Sequence, residues 1–137
     1  MDVRVIWFID NELVSDRLIT NKGLEAFAKI LAGVETVSSW SVIIGSDPSP
    51  EDIYDEQLYD QKLSYTPTIT YEVTDTYSRI RFDATAPSAD LNDIIIGELG
   101  LLLTTNVDSY LVDRTSYTPT TFTTSKTFTC IIELRRW

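Results

Sequence analysis

The stretch from Leu91 to Tyr117, LNDIIIGELGLLLTTNVDSYLVDRTSY, decides how this chain folds. Its first half, Ile94 to Leu103, is an apolar run too short to cross a bilayer and interrupted by the charge of Glu98. A run of that length reads as a strand inside a protein core. Gly97 and Gly100 are poor helix formers, and within a strand they mark a bulge or a close approach by another backbone. Thr104 to Ser109 supplies turn chemistry, and Tyr110 to Thr115 returns as a second strand, so the stretch predicts a buried antiparallel hairpin. A buried carboxylate without a partner costs several kcal/mol. The spacing therefore predicts a structural ion pair between Glu98 and Arg114 on the returning strand.

Upstream of the hairpin, Ile69–Val73 and Ser78–Ala84 alternate strictly, with Asp75-Thr76 as the turn between them. Ile80 and Phe82 are assigned to the core, and Arg79 and Arg81 to solvent or a partner. Downstream, Tyr117-Thr118-Pro119-Thr120-Thr121 should break the strand before Lys126–Leu134 forms the last one. Phe128, Cys130, Ile132 and Leu134 lie on the buried face of that strand. Val3–Ile9 reads as the first strand, turned by Asp10-Asn11, and Trp40–Gly45 as another. Glu12–Ile19 fits either a short strand or an extended lead.

A single helix is expected over Lys22–Ala32, with Thr20 or Asn21 as N-cap and Gly33 as the C-terminal cap. Leu24, Phe27, Ala28 and Leu31 have the spacing of one packing face, opposite a Glu25–Lys29 pair. The many short alternating runs and the one helical period predict a mainly β fold. The architecture expected is an antiparallel β-sandwich of seven to nine strands with one α-helix packed on it, in a single domain spanning 1–137.

The net charge of −10 repels phosphate backbones, and the seven arginines and four lysines are dispersed, so nucleic acid is not an expected partner. No segment reads as a membrane span or as a secretion signal. Thirteen Asp against eight Glu, with few Lys and eighteen Thr, suits either a protein kept soluble in high salt or an ordinary acidic domain. The chain has no histidine and no glycine-rich phosphate loop, which removes Ser-His, Cys-His and histidine-metal chemistry. No catalytic, cofactor-binding or metal-binding residues are assigned, and an enzyme is not expected. Lone Cys130 reads as a small buried apolar residue.

Between Asp47 and Asp60 six carboxylates alternate with Tyr54 and Tyr59. Calcium favours such oxygens, but the loop lacks the glycine and ligand spacing of a calcium loop, so it reads as a solvated loop, with a small ligand- or calcium-binding module as the alternative. Tyr54, Tyr59, Arg79, Arg81 and Trp137 are the candidate interface residues, being of the types that anchor protein contacts.

Three pieces of the chain, taken in order, resemble structural proteins of tailed viruses, especially tail-fibre, baseplate and adaptor proteins. They are Thr20-Asn21-Lys22-Gly23-Leu24 opening the helix, Trp40 to Ser46 followed by the acidic loop, and Gly97-Glu98-Leu99-Gly100-Leu101 followed by Tyr110 to Arg114. The resemblance spans about Thr20 to Leu134. It implies a β-sandwich with one helix and a non-enzymatic virion component made in the host cytoplasm. It also implies a homo-oligomer docked on other virion structural proteins, in a tail, baseplate, fibre or capsid decoration, with host attachment as a further role. With no fibrous extension after the domain, a short adaptor, plug, turret or decoration subunit is favoured. The acidic balance adds a virus of a haloarchaeon as one expected source.

Overall fold

The computed structural model describes residues 2–135. Strands β1 (Asp2–Ile9) and β2 (Glu12–Leu18) form a hairpin turned by Asp10 and Asn11, whose φ angles of 48° and 67° place both in the left-handed region. Asp and Asn tolerate that region, and two such residues give the turn whose twist matches the strands. Then follow helix α1 (Asn21–Leu31), β3 (Val37–Gly45), β4 (Gln61–Tyr65), β5 (Thr68–Val73), β6 (Tyr77–Ala86), a single helical turn α2 (Ser88–Leu91), β7 (Ile96–Thr105), β8 (Ser109–Thr120) and β9 (Lys126–Arg135).

The strands form two antiparallel sheets packed face to face, one ordered β2-β1-β9-β6-β5 and the other β4-β3-β7-β8. The fold is thus a mainly β sandwich with one substantial helix. Val5, Trp7, Phe82, Phe128, Cys130 and Ile132 of the first sheet meet Val42, Ile44, Leu99, Leu101 and Leu103 of the second, all essentially inaccessible to water. Trp40 lies against Phe82 across the interface with ring centroids 4.6 Å apart. Polar contacts join the sheets at the β8 side, where Trp7 Nε1 donates to Asp113 Oδ2 at 2.8 Å and the Ser15 and Thr115 hydroxyls lie 2.9 Å apart.

Three sequence expectations are corrected. Strand β7 starts at Ile96, so Ile94 and Ile95 precede it and Ile95 is exposed. Strand β8 runs on through Pro119 to Thr120 instead of breaking at Tyr117. It is an edge strand, where the missing proline N–H costs no ladder hydrogen bond. Two further elements, the strand Gln61–Tyr65 and the helical turn Ser88–Leu91, lie where the sequence pattern assigns none.

The third correction is the face of α1. Its buried residues are Gly23 and Ala26, with Phe27 and Ile30 packed beside the core, while Leu24 is half exposed and Leu31 is 88% exposed. The helix docks through its small residues because it lies close to β8. A Cβ on Gly23 would come within 2.6 Å of Ile19 and 3.2 Å of the Val112 Cα. Thr20 fixes that contact: its hydroxyl caps the helix by accepting from Gly23 N and donates to the Leu111 carbonyl at 2.6 Å. At the other end Gly33, at φ 74°, donates to the Ile30 carbonyl and Val34 to the Lys29 carbonyl, a paired C-terminal cap.

Candidate functional site

Alternation along β7 and β8 places Glu98 and Arg114 on the outer face of the second sheet, where solvent would be expected. Both side chains are nonetheless fully buried, and Arg114 Nε donates to Glu98 Oε1 at 2.8 Å. What covers them is the acidic loop, residues 46–60. Glu98 accepts from the backbone N–H groups of Asp47, Tyr59 and Asp60 at 3.1, 2.9 and 2.8 Å. Arg114 donates to the carbonyls of Ser49 and Asp47 at 3.0 and 3.1 Å, and the Tyr59 ring stacks over it, 3.8 Å from the guanidinium carbon to the centroid. The pair organises the loop: charge-assisted hydrogen bonds satisfy backbone groups that would otherwise be stranded on an apolar sheet. Gly97 and Gly100 make the approach possible. A Cβ on Gly97 would sit 2.6 Å from the Ser46 carbonyl, and one on Gly100 would sit 2.9 Å from Ile43 and Leu58.

The loop carboxylates serve this same folding. Asp47 caps the Ser49 N–H, Asp52 the Tyr54 N–H, and Asp55 takes the Asp52 N–H and the Tyr59 hydroxyl. Glu51 accepts from the Ser116 hydroxyl and pairs with Arg17. Burial pushes the Glu51 pKa upward, but the Ser116 hydroxyl and Arg17 outweigh it and hold the carboxyl below its usual range. Among the described residues, no three His, Cys, Asp or Glu side chains converge in a way that could hold a metal ion.

The candidate interface residues do not form one surface. Tyr54 is exposed and Tyr59 half exposed on the loop covering the second sheet. Arg79 and Arg81 project from the opposite side of the sandwich, the outer face of the first sheet, and each is paired: Arg79 Nε with Glu133 at 2.7 Å and Arg81 Nε with Asp83 at 2.8 Å. Trp137 lies outside the described residues.

A cleft of about 320 Å³ opens beside β2, lined by Asp16, Arg17, Glu51, Ile53 and Asp113 among others. Asp113 points between the sheets, and burial pushes its pKa up to about 7 against the pull of its hydrogen bonds from Trp7 and Thr115. Arg17 is committed to Glu51 and Asp113 to Trp7, so the charges here are used in mutual contacts.

A further surface lies at the other edge. Strand β4 stops at Tyr65, opposite Val42, and the chain crosses through Thr66-Pro67 to the first sheet as β5. Strand β5 then extends past the end of β4. Its inward residues Ile69, Tyr71 and Val73, in register with Phe82, Ile80 and Ser78, face no strand among the described residues and are 48%, 82% and 70% exposed. With Trp40, Ile80 and Leu134 they line an open apolar cleft of about 500 Å³. The core thus continues into solvent along an unpaired strand edge. The alternation of Ile69, Tyr71 and Val73 marks them as face residues; only the length of β4 determines that the face is uncovered.

No family model, curated protein or solved structure matches the chain.

Proposed function

We propose that the chain is a non-enzymatic virion structural protein, a subunit of a tail, baseplate, fibre or capsid-decoration assembly of a tailed virus. The observation that carries an assembly role is the β5 overhang, an open sheet edge backed by an apolar cleft. An edge with unpaired backbone donors and acceptors and an apolar face beside it is a template for another protein. Its partners are proteins, because a net charge of −10 disfavours a phosphate backbone. The virion setting rests on the resemblance of motif order, whose elements are the capped helix after Thr20, the loop following β3 and the Glu98–Arg114 hairpin.

The test is quantitative mass spectrometry of virus particles purified by density from a host culture expressing this chain. Many copies per particle are expected. A chain abundant in the lysate but absent from purified particles overturns the assignment.

A further inference from the structure

Resting on that assembly role, we propose that the β5 edge pairs antiparallel with the β5 edge of a second copy, about a two-fold axis at Tyr71. The pairing joins two five-stranded sheets into one continuous sheet.

The four sheet edges differ in how they are defended. Strand β2 carries Glu12, Asp16 and Arg17 and pairs with β1 through an irregular register. Strand β4 is only five residues long and carries Lys62. Strand β8 contains Pro119, and Glu51 already accepts the Ser116 N–H along it. Charges, bulges, proline, shortness and a covering loop are the usual means of preventing edge-to-edge contact. Strand β5, reading TITYEV, has one charge, Glu72, and no proline, and every residue in it is exposed.

Alternation and charge then select the occupant and the register. Opposed residues of an antiparallel pair share a face, so a two-fold pairing of β5 with itself must centre on a residue. Centred on Tyr71, it sets Ile69 opposite Val73 of the second copy and makes one apolar face from both clefts. On the outer face, Glu72 pairs in register with Arg79, which pairs with Glu133, while Thr70 pairs with Arg81. Across the junction Glu72 then meets Thr70 of the second copy, with that copy's Arg81 next in the row. Charges along the row run Glu133, Arg79, Glu72, Thr70, Arg81, with no like charges adjacent. Centred on Thr70 instead, Glu72 would face Thr68, which pairs with Asp83. Two carboxylates would then flank one threonine. Of the two registers that pair five residues from each copy, only the one centred on Tyr71 keeps the carboxylates apart.

Cysteine cross-linking reads this register directly. The native Cys130 is fully buried, so the unsubstituted protein gives no background. Under mild oxidation Tyr71→Cys should form a disulfide-linked dimer, since opposed Cα atoms lie about 4.5–5.5 Å apart. Thr70→Cys should not, because its counterpart would be about 8 Å away from the strand rise and spacing, beyond the reach of a disulfide. Light scattering of the unsubstituted protein should show a dimer that strengthens from low to molar salt as the net charge is screened. Tyr71→Lys, at an exposed position, should leave a folded monomer. Cross-linking through Thr70→Cys but not Tyr71→Cys overturns the register. A monomer at both salt concentrations with neither cysteine linking overturns self-pairing. Neither result alters the copy number in purified particles, which tests the virion assignment separately.

Discussion

Replacing Asp113 by Asn should reverse the sign of its effect on stability between acid and mildly alkaline pH. Asp113 is buried between the sheets, and its pKa of about 7 stands against an ordinary value of 3.8. A raised carboxyl pKa means that the folded state binds the proton more tightly than the unfolded chain. The stabilisation is complete below about pH 4, declines as the pH rises, and is gone above about pH 7. Three units at about 1.4 kcal/mol each make the charged form cost the fold about 4 kcal/mol at pH 8. Asn cannot ionise, and its Oδ1 can still accept the Trp7 Nε1–H, held at 2.8 Å. Its amide brings one more N–H than a protonated carboxyl, and an unsatisfied N–H costs about 1–3 kcal/mol. The variant should therefore be less stable than the parent by about 1–3 kcal/mol at pH 4 and more stable by about 1–3 kcal/mol at pH 8. At about 3 °C per kcal/mol for a chain of this size, the midpoints should differ by roughly 3–9 °C in opposite directions. Thermal unfolding of both proteins from pH 4 to 8.5 at constant ionic strength measures this. Parallel stability curves would refute the reasoning, because Asp113 would then titrate alike in the folded and unfolded chains.

Arg114→Ala should cost about 3–5 kcal/mol, since it leaves the buried Glu98 and Asp55 carboxylates without their cationic partner and the Ser49 and Asp47 carbonyls without its N–H donors, and limited proteolysis should cut within residues 46–60 first; an unchanged midpoint would mean that the loop holds without the pair. Thr20→Ala should cost about 1–2 kcal/mol in denaturant unfolding by removing the helix cap. Leu31→Ser, at an exposed position, should change stability by under about 0.5 kcal/mol, whereas a loss of several kcal/mol would restore the leucine face of the helix as the packing face.

The central hairpin and its ion pair were legible because both are local in pattern. An unbroken apolar run encloses one charge, and an arginine lies on the strand returning beside it. The role of the pair was not legible. Alternation assigns Glu98 and Arg114 to an outer face, and only the fold of residues 46–60 over that face turns a rim contact into the fastening of a loop. The helix face was misread because Gly23 and Ala26 carry almost no hydrophobic signal, while Leu24 and Leu31 carry much and face water. Smallness was the informative property, and it becomes visible only once Ile19 and Val112 are seen against Gly23. Strand β4, with Leu63 and Tyr65 as its only apolar residues, was too weak a pattern to detect. Without its end point at Tyr65, the exposure of Ile69, Tyr71 and Val73 could not be inferred.

The position of β9 has a consequence for the timing of folding. It lies at the centre of the five-stranded sheet, hydrogen-bonded to β1 on one side and β6 on the other, and of the nine described strands it is synthesised last. Until it arrives, the β1–β2 and β5–β6 hairpins have nothing to join them, and Trp7 and Phe82 have no Phe128, Cys130 or Ile132 between them. Assembly of this sheet therefore waits until β9 has been synthesised, and closing the long loop from β1 to β9 slows it. During that wait β1 and β6 each expose a strand edge that is later buried. A nascent chain stalled before Lys126 is thus a more adhesive species than the folded domain, in which β1 and β6 are paired and β5 is the least defended edge.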